Sequence, residues 1–436
     1  MNNNTETAKK YYGQTILYIL TLLPVFFWLI QKPISQRFSN LNIITLSLGQ
    51  VSGLVGMALF SLAMILSARL KIFERVFNGV NSVYVDHHFI GGIAFSLLLI
   101  HPLLLAYTYL LISFKEAALF LLPSVFWPQN YGIIALCIMI IALVITFYMT
   151  IKYQVWKFSH KFLGLAFVFA FVHMMLIGSD IALNQPLKIY LFVLGMLGVT
   201  SFFYRALFNR FFVRRLKYVV NDIVSLPDNT IEIEATPKDK ALNFIPGQFV
   251  FMNFVSKNVS NEYHPFSISS ASGNPIRIAI KELGDYTNKI KNIQKGDLIN
   301  IEGPYGNFNF KNYSKKQTWI AGGIGITPFM SMLRYIKENN SDYDIDLYYS
   351  VKDESGLIFK DEIEKIALDK KVNVVLWRSN INGFISAQSI KDKTKDLLDR
   401  DILICGPLVM MTALKKQFVQ LGVKRNKIHS EEFQLY

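Results

Sequence analysis

The chain has 436 residues, of which 52% are hydrophobic, and it carries a formal net charge of +14. This hydrophobic content, with a mean hydropathy of +0.31, excludes an ordinary soluble enzyme and predicts a membrane protein. The long apolar runs lie almost entirely before residue 207, whereas the rest of the chain alternates short apolar stretches with charges and turns. The sequence therefore predicts a membrane half followed by a soluble half.

Membrane topology explains the positive charge better than nucleic-acid binding does. Basic residues collect at the ends of the apolar runs, most densely from Arg205 to Lys217, which is the pattern of cytoplasmic loops. Two cysteines, Cys137 and Cys405, are too few for a disulfide framework or a thiolate metal site. The first apolar run is as long as a spanning helix and lacks a small-residue cleavage site, so we expect a retained helix. No nucleic-acid partner is expected.

Six segments are apolar over the length of about 20 residues that a bilayer requires. They are predicted at residues 11–31, 43–68, 86–112, 131–150, 158–179 and 186–207. Six spans return the chain to its starting side, and the cations are concentrated in the loops on that side. We therefore expect a multi-pass protein of the inner (plasma) membrane, with both termini and the soluble half in the cytoplasm.

Five of the seven histidines lie within or at the ends of the third and fifth predicted spans. They are His87, His88, His101, His160 and His173. Ionisable groups at membrane depth are usually functional, although a single histidine there is more often a packing residue. At about 1.5 Å per residue, each step from the first to the last histidine of a span covers roughly 20 Å. This separation suits two haems stacked across one membrane.

We expect His87 and His160 to ligate an inner b-type haem, and His101 and His173 an outer one, with both axial positions of each iron filled. His88 is an alternative to His87. The 13-residue step in the fifth span does not return to the same helix face, so that span needs a local irregularity or a tilt. Gly91 and Gly164 are expected to let a flat macrocycle approach the backbone.

The soluble half changes pattern once. From Tyr218 to about Tyr313, short apolar runs separated by Gly, Pro, Asn and Asp predict an antiparallel β-barrel. From about Gln317 onward, strands alternate with helices, which predicts a parallel α/β nucleotide-binding sheet. The expected fold class is a six-helix transmembrane bundle followed by these two domains, with boundaries at 1–214, 215–313 and 314–436.

Two groups of residues in the predicted barrel suit a flavin dinucleotide. The run from His264 to Ser267 follows a strand, and there an aromatic ring can pack on a flavin and the Ser267 hydroxyl can reach its N5 atom. Taken alone, this run is equally a polar edge strand. Lys281, Gly284 and Thr287 add a cation, backbone amides and a hydroxyl for a pyrophosphate.

The predicted α/β domain has a glycine turn between a strand and a helix. Gly322, Gly323 and Gly325 form the turn, and Thr327 and Pro328 begin the helix, whose amino end can hold a dinucleotide phosphate. Further on, the run from Cys405 to Pro407 ends another apolar strand, where a nicotinamide would lie at the carboxyl edge of the sheet.

These motifs resemble a known combination of families over nearly the whole chain. The membrane half resembles the ferric reductase-like transmembrane domain, and the soluble half resembles the ferredoxin-NADP reductase family. Together they resemble a compact bacterial NADPH oxidase. In that family H-P-F-[ST] binds FAD, G-G-x-G-x-T-P binds the nicotinamide nucleotide and C-G-P lies near it. The resemblance implies these roles for His264, Pro265, Phe266, Ser267, Gly284, Thr287, Gly322, Gly323, Gly325, Thr327, Pro328, Cys405, Gly406 and Pro407.

Two departures from the family pattern affect details. NADPH-preferring members carry Ser-x-Arg where this chain has Ser350-Val351-Lys352, and lysine provides charge without the bidentate fork, so NADPH is favoured only modestly over NADH. Members often end in an aromatic residue stacked on the flavin, for which Phe433 is the better match and Tyr436 an alternative.

The resemblance implies an NAD(P)H oxidase with FAD, two haems b and NADPH or NADH as cofactors. Electrons would pass from cytosolic nucleotide to O2 on the outer face, giving superoxide, with no obligatory protein partner and no protein acid or base. The alternatives are a reductase of ferric iron or another metal, an electron-donating subunit for a periplasmic partner, and a non-enzymatic membrane binding or transport protein.

Overall fold

The computed structural model describes residues 3–77, 79–149, 153–178, 180–206, 215–256 and 259–431. The chain divides into two compact units, Met1–Phe212 and Val213–Tyr436. The second unit contains both predicted soluble domains, so the boundary between residues 313 and 314 remains a prediction.

Among the described residues of the first unit, six helices are long and apolar enough to cross a membrane, as the sequence predicts. The spanning segments are Tyr12–Gln31, Leu41–Leu66, Val80–Leu110, Trp127–Tyr148, Val155–Leu176 and Gln185–Arg205. The complete helices are α1 (Asn3–Gln31), α2 (Ile34–Arg37), α3 (Leu41–Leu66), α4 (Lys71–Val76), α5 (Val80–Leu110), α6 (Phe114–Phe120), α7 (Trp127–Tyr148), α8 (Tyr153–His160), α9 (Phe162–Leu176), α10 (Asp180–Leu183) and α11 (Gln185–Ala206). The chain is a multi-pass membrane protein.

The fifth span is interrupted directly after His160, where α8 ends and α9 begins. The amide of Lys161 donates to the carbonyl of Phe158 at 3.1 Å, and the amide of Gly164 donates to the carbonyl of Lys161 at 3.0 Å. Both bonds reach back three residues and so overwind the helix locally. An irregularity in the fifth span is one of the two departures, with a tilt, that the 13-residue histidine spacing led us to expect.

Glycines on α3 allow α5 to pack closely against it. An added Cβ would lie 2.8 Å from Leu105 at Gly49 and 2.8 Å from Leu98 at Gly56. Small residues at helix interfaces are the usual means of close packing in membranes, because lipid provides no hydrophobic drive for helix association. The α3–α5 pair is therefore a tight support for the side chains of α5.

The first part of the second unit is a six-stranded antiparallel sheet in the order β4-β3-β6-β1-β2-β5. The strands are β1 (Leu216–Leu226), β2 (Thr230–Pro237), β3 (Phe249–Val255), β4 (His264–Ser267), β5 (Ile276–Lys281) and β6 (Leu298–Tyr305), with α12 at Thr287–Ile290. The amide of Ser269 donates to the carbonyl of Arg277 at 2.7 Å. This bond joins the two edges of the sheet, so the strands close into a barrel.

The remainder is a five-stranded parallel sheet in the order β11-β10-β7-β8-β9. The strands are β7 (Lys316–Gly322), β8 (Asp344–Val351), β9 (Val372–Arg378), β10 (Asp401–Cys405) and β11 (Ile428–Glu431). The helices are α13 (Thr327–Glu338), α14 (Lys360–Asp369), α15 (Ser379–Asn382), α16 (Ala387–Lys393) and α17 (Leu408–Gln420). The order reverses between β7 and β10, and ligands of such sheets bind at the carboxyl ends of strands at this switch point.

Candidate functional site

Two histidines on α5 are held by carbonyl groups of α3. Nδ1 of His87 lies 2.9 Å from the carbonyl oxygen of Ala63, and Nδ1 of His101 lies 2.7 Å from that of Gly49. A carbonyl oxygen can only accept, so Nδ1 donates in both contacts. In the neutral ring, Nε2 therefore keeps its lone pair and is the nitrogen available to a metal.

His173 on α9 is held in the same way by α7. Its Nδ1 lies 2.7 Å from the carbonyl oxygen of Pro128. A Cβ at Gly132 would lie 2.9 Å from that nitrogen, and a Cβ at Gly53 would lie 2.7 Å from Nδ1 of His101. In each case the glycine is four residues beyond the accepting carbonyl, where a side chain would occupy the place of the imidazole.

His160 ends α8 and faces His87, with the two ring centres 6.4 Å apart and the rings inclined at 62°. A metal held about 2 Å from one nitrogen of each imidazole would place the ring centres about 6 Å apart. Nδ1 of His160 is buried and has no hydrogen-bond partner among the described residues, while Trp156 stacks on the ring at 5.2 Å. The spacing fits a metal between the two rings.

The donor set suits a porphyrin iron better than a lone ion. Over the described ranges, no three His, Cys, Asp or Glu side chains cluster as a metal site. A porphyrin supplies four nitrogen ligands of its own, so two imidazoles complete the coordination. Space for a macrocycle is present at Gly91, where an added Cβ would meet no atom within 4 Å, whereas at Gly164 it would collide with Phe202. Gly164 therefore serves helix packing in the structure.

His88 differs from His87 in its surroundings. Its ring is exposed and lies 5.6 Å from that of His87. It lines a groove of about 530 Å³ on α5 together with Phe89, Gly92, Ile93, Ser96 and Leu97. The carbonyl anchor that fixes the tautomer is found on His87, which favours His87 as the ligand.

The predicted flavin residues lie near the ends of β4 and β5. The ring of His264 stacks on Tyr286 with the ring centres 3.9 Å apart, and its Nε2 lies 3.2 Å from Oε2 of Glu262. Burial raises the pKa of Tyr286, so its hydroxyl remains protonated and donates to the carbonyl of Glu262 at 3.1 Å. Pro265 and Phe266 follow on β4, and Ser267 is buried opposite Phe249 of β3.

The predicted pyrophosphate residues form a capped turn. The Thr287 hydroxyl accepts from the amides of Leu283 at 2.9 Å and Gly284 at 3.0 Å. Lys281 forms an ion pair with Asp228. The structure therefore brings Gly284 and Thr287 together, and it gives Lys281 a carboxylate partner that the sequence did not indicate.

The glycine turn after β7 packs directly on the Cys405–Pro407 segment, at the switch point of the sheet. A Cβ at Gly325 would collide with the carbonyl oxygen of Cys405, and a Cβ at Gly322 would lie 2.8 Å from Cδ of Pro407. Gly323 has φ +53°, and Gly406 has φ +158°. The two motifs are therefore in backbone contact.

Thr327 and Pro328 begin α13 directly after this turn, and the Thr327 hydroxyl donates to the carbonyl of Ile324 at 3.0 Å. Cys405 is completely buried, and burial raises the pKa of its thiol well above the usual range. The thiol is therefore neutral, and it contributes shape and packing to the site.

Ser350 lies opposite Gly322 in the β7–β8 register, and Lys352 follows β8 at the same edge with its side chain exposed. Arg378, which the sequence reasoning did not single out, lies opposite Val351 at the end of β9 and pairs with Glu354 at 3.0 Å. Its position at the end of an apolar strand could have indicated Arg378 from the sequence. Phe433 and Tyr436 lie outside the described residues, so the flavin-stacking role remains a prediction.

Family models match three parts of the chain. They are described as "Ferric reductase like transmembrane component" over residues 52–171, "FAD-binding domain" over 215–309 and "Oxidoreductase NAD-binding domain" over 319–416. The first includes His87, His101 and His160 and ends two residues before His173, and the other two cover the barrel and the parallel sheet.

Similar proteins include reductases and reductase subunits. The glycine betaine monooxygenase reductase subunit of Chromohalobacter salexigens is 29% identical over 44% of this chain and 56% of its own length. NADH-cytochrome b5 reductase 1 of Lodderomyces elongisporus is 31% identical over 43% of this chain and 67% of its own length. A solved flavohem-like FAD/NAD binding domain of nitric oxide dioxygenase from Vibrio cholerae O1 biovar El Tor has a TM-score of 0.45 and 21% identity, covering 50% of this chain and 97% of that chain.

The chain thus spans 56% and 67% of the first two relatives. It contains FAD- and NAD-binding reductase domains after six membrane-spanning helices. It is a membrane oxidoreductase whose soluble half belongs to the FAD- and NAD-binding reductase family that includes NADH-cytochrome b5 reductase, joined to a ferric reductase-like transmembrane domain.

Proposed function

We propose that this protein carries electrons from cytosolic NAD(P)H through FAD and two b-type haems to an acceptor on the opposite face of the membrane. The observation that carries the proposal is the anchoring of His87, His101 and His173 by carbonyl groups of neighbouring helices, which frees Nε2 of each for a metal. Two of the family matches are the flavin and nucleotide domains that such a path needs, and the third is the membrane domain.

His87 and His160 would hold the inner haem, and His101 and His173 the outer one. When bound, FAD converts a hydride into single electrons and the haems carry them one at a time. The carbonyl anchors fix the orientation of the His87, His101 and His173 imidazoles and raise their basicity. Two imidazoles would hold each haem iron, so we expect electron transfer without oxygen binding to the iron.

In the soluble half, His264 to Ser267 would hold the flavin, with Phe433 as its stacking residue. Gly284 and Thr287 present the turn for the pyrophosphate, and Lys281 provides a cation beside it. The turn from Gly322 to Pro328 would bind the nucleotide phosphates at the start of α13. The Cys405–Pro407 segment would support the nicotinamide. These groups bind and orient, and none is required as an acid or base.

We propose O2 as the acceptor, with one NAD(P)H and two O2 giving NAD(P)+, H+ and two superoxide ions. Purified enzyme with NADPH should reduce cytochrome c in a reaction that superoxide dismutase abolishes. The second candidate is a ferric reductase, because the matching membrane domain is described as ferric reductase-like. Activity that superoxide dismutase does not abolish, and that delivers iron(II) to a chelator, would show this function. Negligible oxygen consumption would favour a protein partner.

The cations of the first unit support the proposed orientation in the inner (plasma) membrane, in which both termini are cytoplasmic. Arg69, Lys71 and Arg75 lie between the second and third spans, on the side to which the soluble half is joined. Such clustering is typical of cytoplasmic loops.

Replacing Lys352 with alanine should lower kcat/KM for NADPH about tenfold, because a hydrogen bond to a charged phosphate contributes about 1.5–3 kcal/mol. The value for NADH should not change, since NADH lacks the 2′-phosphate. Lys371, which pairs with Asp342 near the start of β9, provides a control at the opposite edge of the sheet. If kcat/KM fell equally for NADPH and NADH in initial-rate assays, Lys352 would not contact the 2′-phosphate.

A further inference from the structure

Arg334 is a buried cation on α13, the helix that begins at the nucleotide-binding turn. Its side chain is 7% exposed. It donates to Oε1 and Oε2 of Glu232 at 2.7 and 3.3 Å, to Oε1 and Oε2 of Glu362 at 2.8 and 2.7 Å, and to the carbonyl of Ser269 at 3.0 Å. Every N–H of the guanidinium therefore has an acceptor.

The acceptors of Arg334 lie in two parts of the second unit, the barrel and the α/β part. Glu232 lies on β2 of the barrel, and Ser269 follows the His264–Ser267 strand. Glu362 lies on α14, a helix that accompanies the parallel sheet. The Ser269 hydroxyl also donates to Oε1 of Glu232 at 2.6 Å. The guanidinium thus connects the segment that follows the His264–Ser267 strand to the helix that begins at the nucleotide-binding turn.

A second contact lies one helical turn earlier on α13. The buried hydroxyl of Ser331 donates to the carbonyl of Ser270 at 2.5 Å, and it accepts from the amide of Gly247 at 3.4 Å. Ser270 directly follows Ser269, so both contacts hold the same barrel segment. Together, Ser331 and Arg334 fix both the position and the rotation of α13 against the barrel.

Arg334 and Glu362 stabilise each other's charged forms. Burial alone would lower the pKa of Arg334, but hydrogen bonds from its guanidinium to Glu362 and Glu232 raise it. Burial alone would raise the pKa of Glu362, but its bonds with Arg334 hold that pKa below the usual range. Both bidentate pairs use the planar fork of arginine, which lysine lacks.

We infer that Arg334 is a positioning residue for hydride transfer, because it holds the nucleotide-binding helix at a fixed place relative to the flavin-binding strand. This inference rests on the proposed function of the two motifs. Thr327 is seven residues before Arg334, about 10 Å along the helix, so a shift at Arg334 is transmitted to the nucleotide. A misplacement of about 1 Å can cost about 100-fold in rate.

The test uses the full-length protein with Arg334→Lys and, as a matched control, Arg400→Lys. Arg400 is also 7% exposed and pairs with Asp344, Asp346 and Asp396, all within the parallel α/β domain. Anaerobic stopped-flow should show flavin reduction slowed 10- to 100-fold in Arg334→Lys, with an unchanged nucleotide Kd and FAD content. Arg400→Lys should remain within about threefold of the parent.

A second readout does not depend on turnover. Hydrogen–deuterium exchange should rise in Arg334→Lys at residues 265–272 and 327–338, and not in Arg400→Lys. Ser331→Ala should give a smaller rise in exchange in the same segments. It replaces Arg334→Lys in this test if that variant does not accumulate. Flavin reduction within twofold of the parent in both Arg334→Lys and Ser331→Ala would overturn the inference. A parent protein whose flavin is not reduced by either nucleotide would instead overturn the proposed function.

Discussion

His87→Leu should purify with one haem per chain, whereas His88→Leu should purify with two. The two histidines are adjacent on α5, yet only the His87 contact with the carbonyl of Ala63 fixes a tautomer with Nε2 free, and His87 is the ring placed 6.4 Å from His160. Haem extracted from protein of known concentration, compared with FAD, measures the ratio directly. Loss of a haem from His88→Leu with retention in His87→Leu would reverse the assignment.

Leucine variants of three membrane histidines should show where electron transfer stops. His87→Leu should still reduce its flavin with NADPH, because the nucleotide and flavin residues lie in the second unit. Transfer to an external acceptor should cease, as it should in His101→Leu and His173→Leu, which remove the outer haem. An unchanged acceptor rate in all three variants would show that the membrane histidines are not on the electron path.

Gly325→Ala should be the most damaging single change in the nucleotide-binding turn. Its Cβ would collide with the backbone carbonyl of Cys405, which cannot rotate away, so the turn and the Cys405–Pro407 segment must separate at a cost of about 1–3 kcal/mol. The KM for NADPH and NADH should both rise at least about tenfold, while FAD remains bound.

Gly323→Ala is the matched control for this variant. Its Cβ would meet no atom within 4 Å, and the cost is the strain of φ +53°, about 1–2 kcal/mol. Initial rates of flavin reduction over a range of nucleotide concentrations compare the two. If Gly323→Ala raised KM as much as Gly325→Ala, contact between the two motifs would not be what shapes the turn.

The spans and the strands with strong periodicity could be predicted from the sequence. Six apolar segments were expected within a few residues of the helices observed, and the short apolar runs between Tyr218 and Tyr313 form an antiparallel sheet as expected. The hydrophobic pattern of the local sequence is enough to indicate these helices and strands. The barrel closes through the bond between Ser269 and Arg277, and the apolar pattern indicated a barrel without showing where its edges meet.

The carbonyl anchors and the Arg334 junction could not be predicted, because each joins residues far apart in the chain. Gly53 and Gly132 appear in the sequence as ordinary small residues of membrane helices, and their roles beside His101 and His173 emerge only when the helices are packed. Arg334 resembles any cation on an amphipathic helix, and only the fold brings Glu232 to it.

Arg37 shows the same difficulty in the membrane unit. The sequence places it in a loop among exposed cations, yet its side chain is 3% exposed and pairs with Asp180 at 3.1 Å. Its guanidinium also lies 3.5 Å from the ring centre of Trp28. Burial alone would raise the pKa of Asp180, but hydrogen bonds from Arg37 and Lys32 hold it below the usual range. The loop is thus fastened to the bundle by an ion pair.

The most direct test of the account is the optical spectrum of the purified full-length protein, recorded without oxygen before and after NADPH. Paired imidazoles at two levels predict a six-coordinate b-type spectrum with two haems for each FAD, and both haems should be reduced by the nucleotide. Protein that carries flavin but no porphyrin, or that binds haem through other ligands, would contradict the account.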